Sequence, residues 1–241
     1  MGRVIMSGIV PTLKAPVTGI QAGTLAVGSV VKLMEGGAAV EYLVVNQGIP
    51  SNSSLYDASC DGTWLLRKDC LRGREWNSSG SNAYASSYIN TTWLNGTIFN
   101  TLGSAEQATI KQVKIPYCVG GGSSTIRSGP NGLSVKLFLL GGCELGDTSG
   151  GLPADGAKLN YFETGTGSSA LNKRIATRDG SAVNWWLRSP NTNAATNAWL
   201  VSINGTYSSR KVSDARSVRP ALVLPGNALF DETTMLLKGV K

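Results

Sequence analysis

Residues 184–224 read "NWWLRSPNTNAATNAWLVSINGTYSSRKVSDARSVRPALVL". Two firm ends enclose a soft middle. "NWWLRS" (184–189), "AWLVSIN" (198–204) and "VRPALVL" (218–224) have the apolar, β-branched and aromatic content of strands. Successive side chains of a strand point to opposite faces, so Trp185 and Trp186 face different ways and at least one is expected in the core. Arg188 and Arg219 lie inside apolar strands. A guanidinium there needs a carboxylate or backbone carbonyls, so structural hydrogen bonds are expected of both rather than catalysis. Between the ends, residues 191–216 are mostly Asn, Ser, Thr and Ala, yet they carry Trp199 and Tyr207.

Outward from this stretch, the pattern remains β-rich. Ser29–Met34 and Ala38–Asn46 flank "EGG" at 35–37, with period-two alternation in the second arm, and predict a hairpin. "GTWLLRKD" (62–69) is a third strand, and "VKLFLLGG" (135–142) a buried one. "SNAYASSYINTTWLNG" (81–96) places Tyr84, Tyr88, Ile89, Trp93 and Leu94 on one face at helical spacing, with Gly96 to close the end. A second short helix begins at "SAEQATIKQ", with Ser104 and Gln107 as a capping box. Residues 144–181 show little regular signal. Helices grouped between strands, rather than alternating with them, predict an α+β fold of antiparallel strands, two short helices and long loops. Residues 1–25, broken by Pro and Gly, read as an extended arm, either a floppy tail or a segment for attachment or oligomerisation, and 26–241 as the single main domain.

Composition narrows the chemistry. The chain has 241 residues, no histidine, and therefore no Ser-His-Asp or Cys-His catalysis and no histidine metal centre. Cys60, Cys70, Cys118 and Cys143 lack CxxC spacing, which speaks against zinc; buried free thiols and disulfides both stay open. No carboxylates pair in a calcium-loop pattern, and the glycine clusters at 120–122 and 141–142 lack phosphate-binding spacing. No metal and no cofactor are expected. The net charge of +7 comes from scattered Lys and Arg without a nucleic-acid motif, so a solvated basic surface is the expected reading and no nucleic acid the expected partner. No stretch approaches the apolar length of a membrane span, and no secretory leader is seen.

The frame "NWWLRSP…AWLV…NG…VRPALVLP", together with "LYDASCDGTWLLRKD", "IKQVKIPY" and "AKLNYFETGTG", resembles a phage and gut-bacterial family of unknown function. That family in turn resembles the variable proteins of diversity-generating retroelements, whose C-terminal domain has a C-type lectin-type, formylglycine-generating-enzyme-like fold. The similarity runs from about residue 25 onward. In such systems a reverse transcriptase rewrites adenines in a C-terminal cassette, so a fixed frame carries a changing binding face.

Carried onto this chain, the resemblance implies a variable region over 184–220. Its frame positions are Trp185, Trp186, Arg188, Pro190, Trp199, Arg219 and Pro220, with Val201, Gly205 and Val212 alongside. The implied ligand-binding positions are Asn191, Asn193, Ala194, Thr196, Asn197, Leu200, Ser202, Asn204, Thr206, Tyr207, Ser208, Ser209, Arg210, Asp214 and Arg216. Lys211 departs from the pattern, because adenine changes alone do not turn an AAC codon into Lys. The residue types suit the role independently: Tyr supplies rigid contact area, and Ser and Asn adaptable hydrogen bonds.

The expected function is non-enzymatic recognition of a bacterial cell-surface receptor, protein or glycan. The setting is a phage tail tip or fibre, or a bacterial surface. The N-terminal arm would join other tail or surface proteins, and the resemblance leaves room for a homotrimer. Membrane insertion is not expected. Two alternatives stand beside this reading: a fixed structural virion protein of the same fold, and a formylglycine-generating-type oxidase, for which no reactive cysteine arrangement can be placed.

Overall fold

The computed structural model describes residues 18–51, 54–78, 80–147 and 151–240. Strands β1 (Ile20–Gln21), β2 (Val30–Glu35), β3 (Ala38–Gln47), β4 (Thr63–Arg67) and β5 (Leu71–Glu75) come first. A helical stretch follows: a 3₁₀ turn at Tyr84–Ser86, a π-helical segment at Ile89–Ile98 and α1 (Ser104–Thr109). Three short two-stranded ribbons and α2 (Ser168–Arg174) occupy the middle. Then come β6 (Trp185–Pro190), β7 (Asn197–Val201), β8 (Tyr207–Lys211), β9 (Ala215–Val218), β10 (Ala221–Leu224), β11 (Ala228–Phe230) and β12 (Leu237–Val240). The architecture is α+β, mostly antiparallel strands in several sheets with few short helices.

Two sheets dominate. One has the order β8-β7-β6-β9-β5 and is antiparallel except for the parallel contact of β6 with β9. The other has the order β10-β4-β3-β2 and is antiparallel throughout. The β2–β3 hairpin forms as the sequence predicts. Gly36 and Gly37 both take positive φ, 60° and 82°, as a tight turn matched to strand twist requires.

Strand β6 lies between two cores. Trp186 joins a cluster with Trp76, Tyr84, Trp93, Val31 and Leu200, while Trp185 and Leu187 join another with Trp64, Phe138 and Phe162. Both tryptophans are fully buried. Each indole N–H reaches a backbone carbonyl: Trp185 donates to Arg174 and Trp186 to Arg74. Adjacent bulky aromatics thus reflect a strand with no solvent face, which period-two alternation alone does not distinguish from a half-exposed one.

Several expectations need correction. "VRPALVL" is not one strand. Its first part pairs with β5 and its second with β4, and the chain changes sheet at Arg219–Pro220, where proline cannot donate to a ladder. Residues 137–142 are buried but form no continuous strand; Phe138 makes a single bridge to Ala221. The first predicted helix is a 3₁₀ turn followed by a π-helical segment, with Gly96 inside it rather than at its end. The capping box does not form, because α1 starts at Ser104 after Gly103 and Gln107 donates instead to the Leu102 carbonyl. Residues 144–181, which carry little sequence signal, contain α2.

The expected arm, residues 1–25, is not separate from the domain over residues 20–25. Its first 17 residues lie outside the described residues, but Ile20–Gln21 pairs with β11, and Ala22 and Leu25 are core. A two-residue strand followed by one 3₁₀ turn is too short to show a period.

An exposed hairpin face and the cavity beside it

The segment between β6 and β7 is held by its main chain. Asn82, itself fully buried, donates through Nδ2 to the carbonyls of Asn191, Ala194 and Asn197 at 3.0, 3.1 and 2.7 Å. Its Oδ1 accepts from the Gly121 N–H at 2.6 Å, and its own N–H donates to the Ala195 carbonyl. The loop adds three internal main-chain bonds, Asn191 N–H to Asn197, Ala194 N–H to Asn191 and Asn197 N–H to Ala194. Side-chain ties are few: Asn191 donates to Ser209 Oγ and accepts from the Asn193 N–H, and Thr192 reaches the Gly151 carbonyl at 3.5 Å. The loop shape therefore rests chiefly on groups that every residue except proline carries.

The β7–β8 hairpin is fixed similarly. Ser202 N–H donates to Thr206 and Gly205 N–H to Ser202 across the turn. Gly205 has φ +77°, and a Cβ there would lie 2.2 Å from the Leu171 carbonyl oxygen. After β8, Val212 buries its side chain, donates its N–H to Thr196 and accepts from Trp76 and Asn77. Side-chain identity is thus demanded at Gly205 and Val212 and, apart from Tyr207, which packs over Arg174, is relaxed between them.

Among the positions assigned to the binding face, Asn193, Thr196, Asn204, Thr206 and Arg210 are exposed. Asn191, Ala194, Asn197, Ser202, Tyr207, Ser208, Ser209, Asp214 and Arg216 are half-buried. Leu200 does not belong with them. It is 1% exposed and packs in the Trp186 core, because it shares with Ala198 the face of β7 that is turned to that core. Trp199, on the other side of β7, is only half-buried. The face is also divided. Asp214 and Arg216 pair with one another at 3.0 Å beyond Val212, and Arg216 sits on β9 against Arg74 of β5.

Behind β6 lies a buried ionic network. Arg188 donates to both carboxylate oxygens of Glu144, at 2.6 and 2.8 Å, and to the carbonyls of Pro116, Leu139 and Asp155. Tyr56 hydroxyl and the Gly141 N–H also donate to Glu144. Asp155 lies 4.0 Å from Arg188 Nε and accepts from Ser189 Oγ, whose oxygen accepts from the Gly142 N–H. One guanidinium thus faces two buried carboxylates, with Glu144 taking the direct contacts. Burial pushes the Asp155 carboxyl up to about 6, against the pull of Arg188. The network clamps residues 139–144 and Asp155 onto β6, a structural role of the kind expected for Arg188. Arg219 donates to the Arg67 carbonyl and stacks on Trp185 at 5.2 Å.

A cavity of about 290 Å³ opens beside the hairpin, walled by α2, β7 and the start of β8. Arg174 forms its floor, fully buried. Its Nε donates to the Leu145 carbonyl and its Nη2 to those of Glu163 and Gly165. The Tyr207 ring lies 5.0 Å from the guanidinium carbon. Burial raises the Tyr207 phenol above its usual range, so it stays protonated.

All four cysteines are buried free thiols. Burial pushes Cys60 and Cys143 up to about 12 and Cys70 up to about 11, and raises Cys118 as well. Thiols so placed are poor nucleophiles. Among the described residues no helix is long and apolar enough to cross a membrane.

Asn82, Glu144, Asp155 and Arg174 carry the site's architecture, yet sequence reasoning assigned none of them a role there. Asn82 sits in a Ser/Asn/Ala run where an anchoring amide looks like any loop polar residue. Arg174 ends a short helix, where a basic residue is ordinary dipole chemistry.

These features define a β-rich α+β domain with one loop-and-hairpin face fixed through its backbone. The chain belongs to the DUF6273 family, described as a domain of unknown function, whose profile matches residues 61–226. The matched span contains the whole five-stranded sheet, while the other large sheet draws β2 and β3 from outside it. No curated protein and no solved structure matches the chain.

Proposed function

We propose that this protein is a non-enzymatic recognition module that binds a bacterial cell-surface receptor through the 191–211 face. Its fold would be of the C-type lectin type and its setting a phage tail tip or fibre, or a bacterial surface. One observation carries the reading: the Asn82-anchored loop and the adjoining hairpin are shaped by main-chain bonds, leaving Asn193, Thr196, Ser208 and Arg210 outside the packed core. Such a scaffold keeps its fold while its contact residues change, which is what recognition of varied partners requires. Two further facts agree with it. The raised thiols disfavour an oxidase that needs a reactive cysteine. The net charge of +7 steers the protein toward anionic cell surfaces.

The test is flow cytometry of fluorescently labelled protein on a panel of intact bacterial strains. Wild type is expected to label a subset. A variant with Asn193, Thr196, Ser208 and Arg210 all replaced by Ala should lose that labelling with an unchanged melting temperature. Undiminished labelling by the variant would place recognition elsewhere, and absence of labelling across a broad panel would favour the structural reading.

A further inference from the structure

Six buried side-chain nitrogens lack a hydrogen-bond partner among the described residues. Two of them, Arg174 Nη1 and Trp199 Nε1, belong to walls of the same cavity. An unsatisfied buried donor costs free energy, more so on a charged group, so a pair of them at one cavity is not explained by folding alone. Arg174 is also a buried cation without a counter-ion: among the described residues it makes no ion pair, and its three bonds go to neutral carbonyls. Arg188 shows the contrast, since its guanidinium is matched by Glu144 and Asp155.

We infer that the cavity between α2 and the β7–β8 hairpin binds a hydroxylated monocarboxylate of monosaccharide size, a uronic acid residue. Arg174 supplies the charge complement to the carboxylate, strengthened by the low dielectric around it. The Trp199 indole N–H donates to a ring or hydroxyl oxygen. Tyr207 and Trp199 offer aromatic surface to the sugar's C–H face, and Thr206 and Thr166, also in the cavity wall, offer hydroxyls to its own. The volume of about 290 Å³ holds one sugar ring. Both nitrogens are closed to solvent, so direct contact requires the cavity wall to shift, and over Arg174 the covering group is the half-buried Tyr207 ring, 5.0 Å from the guanidinium carbon. Its hydroxyl gives up only a 3.4 Å bond to the Gly142 carbonyl.

The inference rests on the recognition role proposed above and names its ligand chemistry. Its test uses the full chain, with the indole ¹H–¹⁵N resonance of Trp199 followed during titration with D-glucuronate, D-glucose, acetate and a disaccharide ending in glucuronate. The resonance is assigned by its loss in Trp199→Phe. Saturable shifts are expected with both uronates, and affinity for D-glucuronate should exceed that for D-glucose and for acetate by about tenfold or more, as a charge-assisted hydrogen bond allows. Binding of the free sugar but not of the disaccharide would mean a small-metabolite site and overturn the glycan reading. By calorimetry, Trp199→Phe should weaken glucuronate binding about tenfold. Arg174→Gln removes the charge and should erase the preference for glucuronate over glucose; if that variant does not fold, Thr206→Val, which removes a hydroxyl from the cavity wall, should weaken the binding of both sugars severalfold.

No saturable shift, or equal affinity for glucose, overturns the inference. The four-site Ala variant contains no residue of the cavity wall and should bind glucuronate like wild type. Cell labelling that depends on the four sites while glucuronate fails to bind would therefore remove the cavity assignment and leave the recognition role standing. Glucuronate binding without any cell labelling would do the reverse.

Discussion

Replacing Asn82 by Ala tests whether the 191–197 loop is shaped by its backbone. The side chain makes three carbonyl contacts through Nδ2 and one amide contact through Oδ1. The amide group has only two hydrogens, so the three carbonyls share them. Each of those carbonyls also accepts a main-chain N–H within the loop, so truncation weakens rather than orphans them. At about 1 kcal/mol for each net bond lost, with a small cavity added, the cost is about 2–4 kcal/mol. Asn82→Asp should cost at least as much, because it sets a carboxylate against three carbonyl oxygens. The assays are urea denaturation for global stability and amide exchange at residues 194 and 197 for the loop. In both variants the loop amides should lose protection before the β6 amides do. A loss under about 0.5 kcal/mol with protection unchanged would refute the anchoring role.

Other expected outcomes follow from the same geometry. Leu200→Ala removes a fully buried side chain from the Trp186 core and should cost about 2–5 kcal/mol in urea denaturation, whereas Arg210→Ala, on the neighbouring strand, should stay within about 0.5 kcal/mol. Gly205→Ala drives a methyl group into the Leu171 carbonyl at a positive φ, and should lower the melting temperature by several degrees through strain alone. For pH dependence, Asp155 holds its proton more tightly in the folded chain than in the unfolded one. Its stabilising contribution is complete below the ordinary carboxylate range and is lost as pH rises through about 6. Lowering the pH from about 7 to 5 should therefore stabilise wild type relative to Asp155→Asn by about 1 kcal/mol, one pH unit's worth of the shift. The lowered carboxyls Asp57, Glu163 and Asp231 act oppositely but only below their ordinary range, outside that window.

The sequence was legible where local chemistry and tertiary structure agreed. The Gly36–Gly37 hairpin, the Trp64 strand and the strands holding Trp185 and Trp199 all read directly from alternation and turn residues. It failed where long-range packing decides. Leu200 lies in the apolar run 198–201, whose residues point alternately to two faces, and only the β7 register shows that it faces the Trp186 core rather than the binding face. Strand β8, "YSSRK", has almost no apolar content and exists because β7 offers it a ladder partner. Pro220 hid the change of sheet, since the residues on both sides of it are strand-like. The cavity was least legible of all, because Arg174 and Trp199 meet only through the fold.

The most direct test of the account is a displayed library randomised at Asn193, Thr196, Leu200, Ser208 and Arg210, sorted first for folding and then for binding to bacterial cells. Folded clones should vary freely at the four outward positions and keep an apolar residue at 200. Sorting against a strain that wild type does not label should recover new binders that differ at those four positions. Folded clones that never change target, or that tolerate polar residues at 200, would contradict a backbone-fixed face with exchangeable contacts.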